Sequence, residues 1–241
     1  MSVPRHTYPD AAAASEACAH HILALLEEAI AGQEFATLAI SGGSTPKLMF
    51  PILAAAPFHW DKVHLFWVDE RCVPPTDDAS NFKLANDYLI ARAHFPARHV
   101  HRIFGELKPE SAARRYAGEI REFFGLAEGE MPQFDVVHRG MGPDAHTASL
   151  FPGDPLIEDR EGIAGSTYVE KFKQWRVTLL PGALSAAKNT AFLVAGADKQ
   201  EALRAVFEEE YDPMQYPAQI ASHPGRGVSW YLDEAAAALL E

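Results

Sequence analysis

The feature that most constrains the fold of this chain is a regular alternation of short apolar runs with longer segments of helical periodicity. The runs are apolar throughout, which is typical of strands that are buried on both faces of a sheet. Strands that alternate with helices predict an α/β fold with a mainly parallel sheet and helices on both faces. A length of 241 residues suits one such domain over the whole chain, 1–241. The predicted strands are 35–40, 63–68, 134–137, 176–180, 190–195 and 228–232, and the predicted helices include 11–31, 80–93, 109–124 and 198–210.

Residues with strong preferences for helix ends support these boundaries. Asp10 lies before the first helix as an N-cap, and Gly32 ends that helix. Asp198 and Glu201 have the spacing of a capping box for the helix over 198–210. Further helix starts are predicted at Pro46, Ser80, Pro109 and Asp233.

The composition excludes several classes of function. No apolar run approaches the roughly 20 residues that span a bilayer, and the first ten residues lack a signal-peptide core, so we expect a soluble cytoplasmic protein. A net charge of −12 argues against nucleic acid and membrane as partners. Cys18 and Cys72 are too few for a disulfide framework or a thiolate metal site. The pair His99 and His101 lacks a third ligand and is interpreted as a solvated loop feature.

The predicted strand over 35–40 is followed by a loop of small polar residues. In a mainly parallel sheet, ligands bind at the carboxyl ends of the strands, where this loop lies. Glycines allow a ligand to approach the backbone, and the next helix start offers free N–H groups and a partial positive charge. The loop therefore favours phosphate binding, with an ordinary strand-to-helix turn as the alternative. Its residues are Ser41, Gly42, Gly43, Ser44 and Thr45.

Charged residues follow other predicted strands at the same edge. Asp69, Glu70 and Arg71 come directly after the strand over 63–68. A surface turn explains them equally well in isolation, whereas a site explains why they fall at the same sheet edge as the glycine loop, and Asp69 is a candidate substrate-binding residue there. Arg176 opens the run at 176–180, and Lys199 follows the strand over 190–195. A chain of charge −12 needs local cations to hold a phosphate, although solvated surface positions are the commoner place for Arg and Lys.

The stretch GMGPDAHTASLFPG at 140–153 places an acid and an imidazole in a turn directly after a predicted strand. An Asp beside a His holds one imidazole tautomer and raises its basicity, as a general base requires. Asp144 and His146 are therefore candidates for that role, although most of the eleven histidines in such a chain are expected to be surface or core residues.

Taken together, five blocks of this sequence resemble the 6-phosphogluconolactonase family over nearly the whole chain. The blocks occur in the family's order, which makes the resemblance specific. They are LAISGGSTPKLMF, VHLFWVDERCVPPTDDASNF, FDVVHRGMGPDAHTASLFPG, RVTLLPGALSAAKNTAFLVAGADKQEAL and SWYLDEAAA.

The resemblance implies a fold similar to the glucosamine-6-phosphate deaminase and ribose-5-phosphate isomerase group. It implies hydrolysis of 6-phospho-D-glucono-1,5-lactone to 6-phospho-D-gluconate, without a required cofactor or metal, by a monomer or weak homo-oligomer. It identifies His146 as the general base and Asp144 as part of the same motif, and we assign Arg71 to oxyanion stabilisation. The residues implied to surround the sugar phosphate are Gly42, Gly43, Ser44, Thr45, Arg71, Arg176 and Lys199.

The chain departs from the family pattern in three places. Ala145 stands where the family usually has Gly, so either this alanine carries a strained positive φ or its methyl group faces the substrate. His138 and Arg139 stand where an apolar pair is usual, so charge is expected at the sheet edge or near the site. The segment after Arg176 is one residue shorter than the pattern.

Two other functions remain as alternatives at this point. A glucosamine-6-phosphate deaminase shares the glycine loop and an Asp-x-His motif, but it carries a catalytic Glu a few residues after the His, and the corresponding residues 147–151 contain no acid. A non-catalytic sugar-phosphate sensor is the second alternative, and no accompanying DNA-binding module is evident.

Overall fold

The computed structural model describes residues 3–220, 222 and 227–240. Short apolar runs form the strands, and the segments between them form helices. The strands are β1 (Arg5–Tyr8), β2 (Ala36–Ile40), β3 (Val63–Trp67), β4 (Asp69–Arg71), β5 (Val100–His101), β6 (Val136–Arg139), β7 (Ala164–Val169), β8 (Gln174–Leu179), β9 (Asn189–Val194) and β10 (Gly227–Asp233). The helices are α1 (Ala11–Gly32), α2 (Ser44–Ala55), α3 (Asn81–Ala85), α4 (Pro109–Phe124), α5 (Pro181–Ala186), α6 (Gln200–Glu208) and α7 (Glu234–Ala237).

The larger sheet has seven strands in the order β1-β10-β9-β6-β2-β3-β5, and every neighbouring pair in it is parallel. Successive side chains of a strand point to opposite faces. Leu193 and Tyr231 pack in one apolar cluster with α1 and α2, whereas Phe192 and Trp230 pack in a second cluster with α6 and α7. Helices therefore cover both faces, and the predicted fold class is confirmed.

A smaller antiparallel sheet in the order β4-β8-β7 lies beside the parallel one. The predicted strand over 176–180 belongs to this sheet, as β8. The Leu179 N–H donates to the Val68 carbonyl at 2.8 Å, and the Val68 N–H donates to Ile40 at 2.9 Å. These bonds join the two sheets, because the chain leaves β3 and continues directly into β4.

Most of the predicted helix ends agree with the structure. The Asp10 carboxylate accepts from the Ala13 N–H at 2.8 Å and caps α1. The predicted capping box at Asp198 is wrong, because Ala197–Lys199 form a short 3-10 turn before α6 and the Asp198 carboxylate instead accepts from the Lys199 ammonium at 2.7 Å. The predicted helix over 80–93 is α3 followed by a π-helical turn, Asn86–Ile90. None of the helices in the described part of the chain is long and apolar enough to cross a membrane.

Candidate active site

A cavity of about 300 Å³ opens at the carboxyl ends of β2, β6 and β9, bordered by β4 and β8. It brings together residues from five separate stretches of sequence. Asp144 does not line this cavity but contacts His146, which does. The predicted residues that line it are Ser41, Gly42, Gly43, Ser44, Thr45, Asp69, Arg71, His146, Arg176 and Lys199.

The glycine loop forms one wall of the cavity, and two of its residues need to be glycine. Gly43 is the N-cap of α2 and has a φ of +123°, a conformation that L side chains rarely adopt. A Cβ on Gly42 would lie 1.9 Å from Oδ1 of Asn81. The first turn of α2 thus lines the cavity, and its N–H groups lack intrahelical acceptors, as an anion-binding loop requires.

Asp69 lies in the cavity wall with its carboxylate held by two buried side chains. Its Oδ2 accepts from the Ser149 hydroxyl at 2.6 Å, and its Oδ1 accepts from the Asn81 amide at 3.3 Å. Ser149 and Asn81 were not predicted as site residues. Ser149 lies within the glycine- and proline-rich stretch at 140–153. A buried carboxylate needs hydrogen-bond donors, and this requirement is the signal that could have pointed to both residues.

Glu70 points away from the cavity and is almost fully buried, at 2% exposure. Its carboxylate accepts the N–H groups of Asn81 and Phe82, each at 2.7 Å, and the Ser80 hydroxyl at 3.0 Å. Burial raises the pKa of Glu70, and these backbone hydrogen bonds oppose that rise. Glu70 therefore fixes the start of α3 against β4 instead of contacting a ligand.

Two arginines face each other across the small sheet. Arg71 and Arg176 are directly paired in the β4–β8 register, and both line the cavity. Arg71 Nη1 donates to the Ala79 carbonyl at 2.6 Å, whereas the buried Nε atoms of both arginines have no hydrogen-bond partner among the described residues. Burial, and then the charge of Arg71, lower the pKa of Arg176. Two like charges side by side favour binding of an anion between them.

His146 and Asp144 form a hydrogen-bonded pair in the loop that follows β6. Asp144 Oδ1 lies 2.5 Å from His146 Nδ1, which makes Nδ1 the protonated nitrogen and leaves Nε2 as the basic one. A Cβ on Gly142 would lie 2.0 Å from the imidazole, so this pairing requires glycine there. The ring stacks on Phe151, with centroids 4.2 Å apart.

The charge state of Asp144 follows from its neighbours. Burial alone would raise its pKa, but the hydrogen bond and charge of His146 and the Lys171 ammonium, 3.3 Å from Oδ2, hold the pKa of this carboxyl well below its usual range. Asp144 is thus a carboxylate at neutral pH and keeps the imidazole in one tautomer.

The backbone beside His146 adopts a conformation that is unusual for alanine. Ala145 has a φ of +61° and Ala148 a φ of +54°. Ala145 is 1% exposed, packs in the apolar cluster of Phe192 and Trp230, and does not line the main cavity. The alternative in which its methyl group faces the substrate is therefore wrong, and the strained-turn alternative holds.

His138 and Arg139, the two residues that replace the usual apolar pair, are both fully buried and present no exposed charge at the sheet edge. Burial lowers the pKa of His138 to about 3, so this ring is neutral. Its Nδ1 accepts from the Ser41 N–H at 3.4 Å, and this hydrogen bond holds the first residue of the glycine loop against β6. His99 is likewise buried, at 2% exposure, instead of lying in a solvated loop.

Comparisons with known proteins agree with this architecture. Residues 9–230 match the family model described as glucosamine-6-phosphate isomerases/6-phosphogluconolactonase. A 6-phosphogluconolactonase of Nostoc sp. is 40% identical over 220 residues, covering 91% of this chain and 90% of the relative. The solved structure of a 6-phosphogluconolactonase from Trypanosoma brucei is 26% identical with a TM-score of 0.86, over 100% of this chain and 99% of that one. A monomeric glucosamine-6-phosphate deaminase, 18% identical with a TM-score of 0.81 over 99% and 100% of the two chains, shares the fold.

Proposed function

We propose that this chain, which belongs to the family of glucosamine-6-phosphate isomerases and 6-phosphogluconolactonases, hydrolyses 6-phospho-D-glucono-1,5-lactone to 6-phospho-D-gluconate. The single observation that carries the proposal is the Asp144–His146 pair, whose imidazole lines a cavity that also holds three cationic side chains. A general base beside an anion site is what the hydrolysis of a phosphorylated ester requires.

The phosphate of the substrate binds at the glycine loop in this proposal. Ser44 and Thr45 supply hydroxyls and the start of α2 supplies N–H groups, while Arg176 and Lys199 supply charge. The ammonium of Lys199 donates to the Asp198 carboxylate at 2.7 Å, so a bound phosphate would share that cation with a carboxylate. The net charge of −12 makes this local concentration of cations necessary.

In the reaction, Nε2 of His146 removes a proton from water as the water oxygen attacks C1 of the lactone. The carbonyl oxygen becomes an oxyanion, for which Arg71 is the proposed partner. As the tetrahedral intermediate collapses, the bond from C1 to the ring oxygen breaks, and His146 returns the proton to that oxygen. Asp144 holds the imidazole and stabilises the transient imidazolium. The product is an open-chain acid that ionises and releases one proton.

A deaminase activity is the weaker alternative. The ring of Phe151 stacks on His146, and residues 147–151 contain no acid beside that imidazole. The similarity to the deaminase at 18% identity concerns the fold alone. A sensor without activity would bind the sugar phosphate but leave the lactone intact.

The deciding experiment adds fresh lactone to the purified protein and measures acid release in a pH-stat against the spontaneous background. Release above background supports the proposal. Ammonia formed from glucosamine 6-phosphate would instead indicate a deaminase. Saturable binding of 6-phosphogluconate with neither reaction would indicate a sensor.

A further inference from the structure

Arg139, the last residue of β6, is among the largest fully buried side chains and forms no salt bridge with any residue that the structure describes. A buried cation without a carboxylate is costly, because the protein interior replaces water poorly around a charge. Burial accordingly lowers the pKa of Arg139 to about 9, which still leaves it charged at neutral pH. Such a group needs a compensating role in the structure.

The guanidinium contacts three separate parts of the chain. Its Nε donates to the Thr147 hydroxyl at 3.1 Å, and its Nη1 donates to the Ile220 carbonyl at 2.7 Å. Its central carbon lies 4.6 Å from the centroid of the Phe192 ring, a cation–π contact. Arg139 thus links β6 to the loop that carries His146 and to the turn around residue 220.

The contact to Thr147 acts on the backbone next to His146. The Thr147 hydroxyl has one proton, which it donates to the Gly140 carbonyl at 2.9 Å. Because Arg139 donates to the same oxygen, the hydroxyl is fixed as an acceptor from one side and a donor to the other. These two hydrogen bonds connect Thr147 to Arg139 and to the Gly140 carbonyl, so they hold the two ends of the loop over 140–147 together.

A second contact holds the residue that precedes His146. The Ala218 N–H donates to the carbonyl of Ala145 at 2.9 Å, and residue 218 belongs to the same turn whose Ile220 carbonyl accepts from Arg139. Ala145 has a positive φ, so the loop holds a conformation that it would leave without such contacts. Arg139 therefore supports the residues on both sides of His146.

We propose that Arg139 is a positioning residue for His146, acting through Thr147 and the turn at 217–220. The proposal rests on the proposed function, in which His146 is the base. Arg139 itself is buried and does not line the cavity, so its removal is expected to change the placement of the imidazole and leave the phosphate contacts in place.

Two substitutions at Thr147 form the sharpest test. Thr147→Ser keeps the hydroxyl, and Thr147→Val keeps the shape but removes it. We expect Thr147→Val to lower kcat by roughly 10-fold to 10²-fold with KM within a factor of about two, because small misplacements of a catalytic group have effects of this size. Thr147→Ser should retain most of the wild-type kcat.

Thr37→Val is the matched control for loss of a buried hydroxyl. The Thr37 hydroxyl donates to Asp135 at 2.8 Å and accepts from its N–H at 2.8 Å, near the opposite end of β2 from the cavity. This variant should lose thermal stability without losing kcat. Equal kcat losses in Thr37→Val and Thr147→Val would overturn the proposal, because general destabilisation would then explain both.

Arg139 is tested directly with Arg139→Lys, which keeps the charge, and Arg139→Met, which keeps the bulk. Folding of each is checked first by thermal melting, and if Arg139→Met does not fold, the Thr147 pair still decides. We expect Arg139→Met to lose kcat as Thr147→Val does, and the double variant to lose no more than the single ones. Additive losses would overturn the proposed route through Thr147.

A readout that does not depend on activity separates this inference from the proposed function. The short hydrogen bond from Nδ1 of His146 to Asp144 is expected to give a far-downfield imidazole proton resonance in NMR. The resonance is assigned by its absence from the spectrum of His146→Gln. That resonance should shift or broaden in Thr147→Val and Arg139→Met but persist in Thr37→Val. An unchanged resonance in all three would overturn the positioning role, whereas a wild type without lactonase activity would overturn only the proposed function.

Discussion

Two histidine–carboxylate pairs among the described residues are joined by a hydrogen bond at Nδ1, and they differ in their access to the active-site cavity, which His146 lines and His101 does not. In the first pair, which we term the open pair, Asp144 is 2.5 Å from His146. In the second, the closed pair, Glu119 is 2.8 Å from His101. The closed pair has its other ring nitrogen occupied, since Nε2 of His101 lies 2.8 Å from Nδ1 of His64.

The surroundings of the two pairs explain the difference. The His101 ring stacks on Phe66, with centroids 4.3 Å apart and 7° between the planes, and makes an edge-to-face contact with Phe123 of α4. His146 has one face on Phe151 and lines the cavity, and its Nε2 has no hydrogen-bond partner within the described residues. A histidine–carboxylate pair is therefore a candidate base only where the second nitrogen remains available to a ligand.

The backbone differs as well. Two alanines of the open pair's loop have a positive φ: Ala145, between Asp144 and His146, and Ala148, two residues after His146. None of the residues 97–101 has a positive φ. Strain of this kind persists where surrounding contacts hold it and is concentrated at functional sites. The closed pair, which is half-buried, lies in unstrained backbone.

The largest expected effect separates the two pairs by activity. His146→Ala should lower kcat by about 10²-fold or more, because general-base help contributes roughly 10²- to 10⁴-fold. His101→Ala removes the same side chain from the closed pair and should lower the melting temperature while leaving kcat near the wild-type value. Steady-state hydrolysis of the lactone measures both. Near-normal kcat in His146→Ala would remove the open pair from the mechanism.

The next effect tests the cations around the open pair. Arg176→Ala and Lys199→Ala should each raise KM by about 10- to 10²-fold, because a hydrogen bond to a charged group contributes roughly 1.5–3 kcal/mol. The unphosphorylated lactone should be a poor substrate of the wild type and no poorer for either variant. Arg121→Ala, a change in the last turn of α4, is the control for net charge. An equal proportional loss on both lactones would show that these cations do not bind the phosphate.

A third prediction concerns the closed pair and pH. Burial, followed by the charges of His99, His101 and Arg98, lowers the pKa of His64 to about 4. The unfolded chain, with a pKa near 6.5, then binds more protons than the folded one at intermediate pH, so stability is full above pH ~6.5 and falls as the pH drops toward 4.

His64→Phe keeps an aromatic ring in this position and removes the titration. Urea unfolding between pH 4 and 6.5 should show a shallower loss of stability for this variant than for the wild type. His20→Gln, an exposed change on α1, is the control and should leave the slope unchanged. A wild-type slope in His64→Phe would assign the acid sensitivity to other groups, such as the buried His138.

The smallest effect concerns the strained turn of the open pair. Ala145→Gly should stabilise the fold, because relief of about 1–2 kcal/mol of left-handed strain exceeds the roughly 0.4–1 kcal/mol cost of a freer unfolded chain. For a chain of this size the melting temperature should rise by about 1–3 °C. Ala12→Gly, at an exposed helical position in α1, should lower it. A lower melting temperature for Ala145→Gly would refute the strained turn.

Much of this protein follows from its sequence alone, because the relevant physics is local. Periodicity identified the helices and the buried parallel strands, since each depends on side chains a few residues apart. The rule that ligands bind at strand ends then brought the glycine loop, Asp69 and His146 to one edge of the sheet. Where local signals competed, as at the Asp198 capping box, the prediction failed, because the carboxylate instead pairs with the neighbouring Lys199.

Only the tertiary structure decided which of these residues are available to a ligand. Asp69 meets Ser149, 80 positions away in the chain, and Arg71 meets Arg176 through a second sheet that the parallel pattern does not predict. The burial of Arg139 has the same origin, since its acceptor at Ile220 is 81 residues distant. Sequence patterns specify which groups lie on which element, whereas exposure, backbone strain and hydrogen-bond satisfaction depend on contacts between elements that no local pattern encodes.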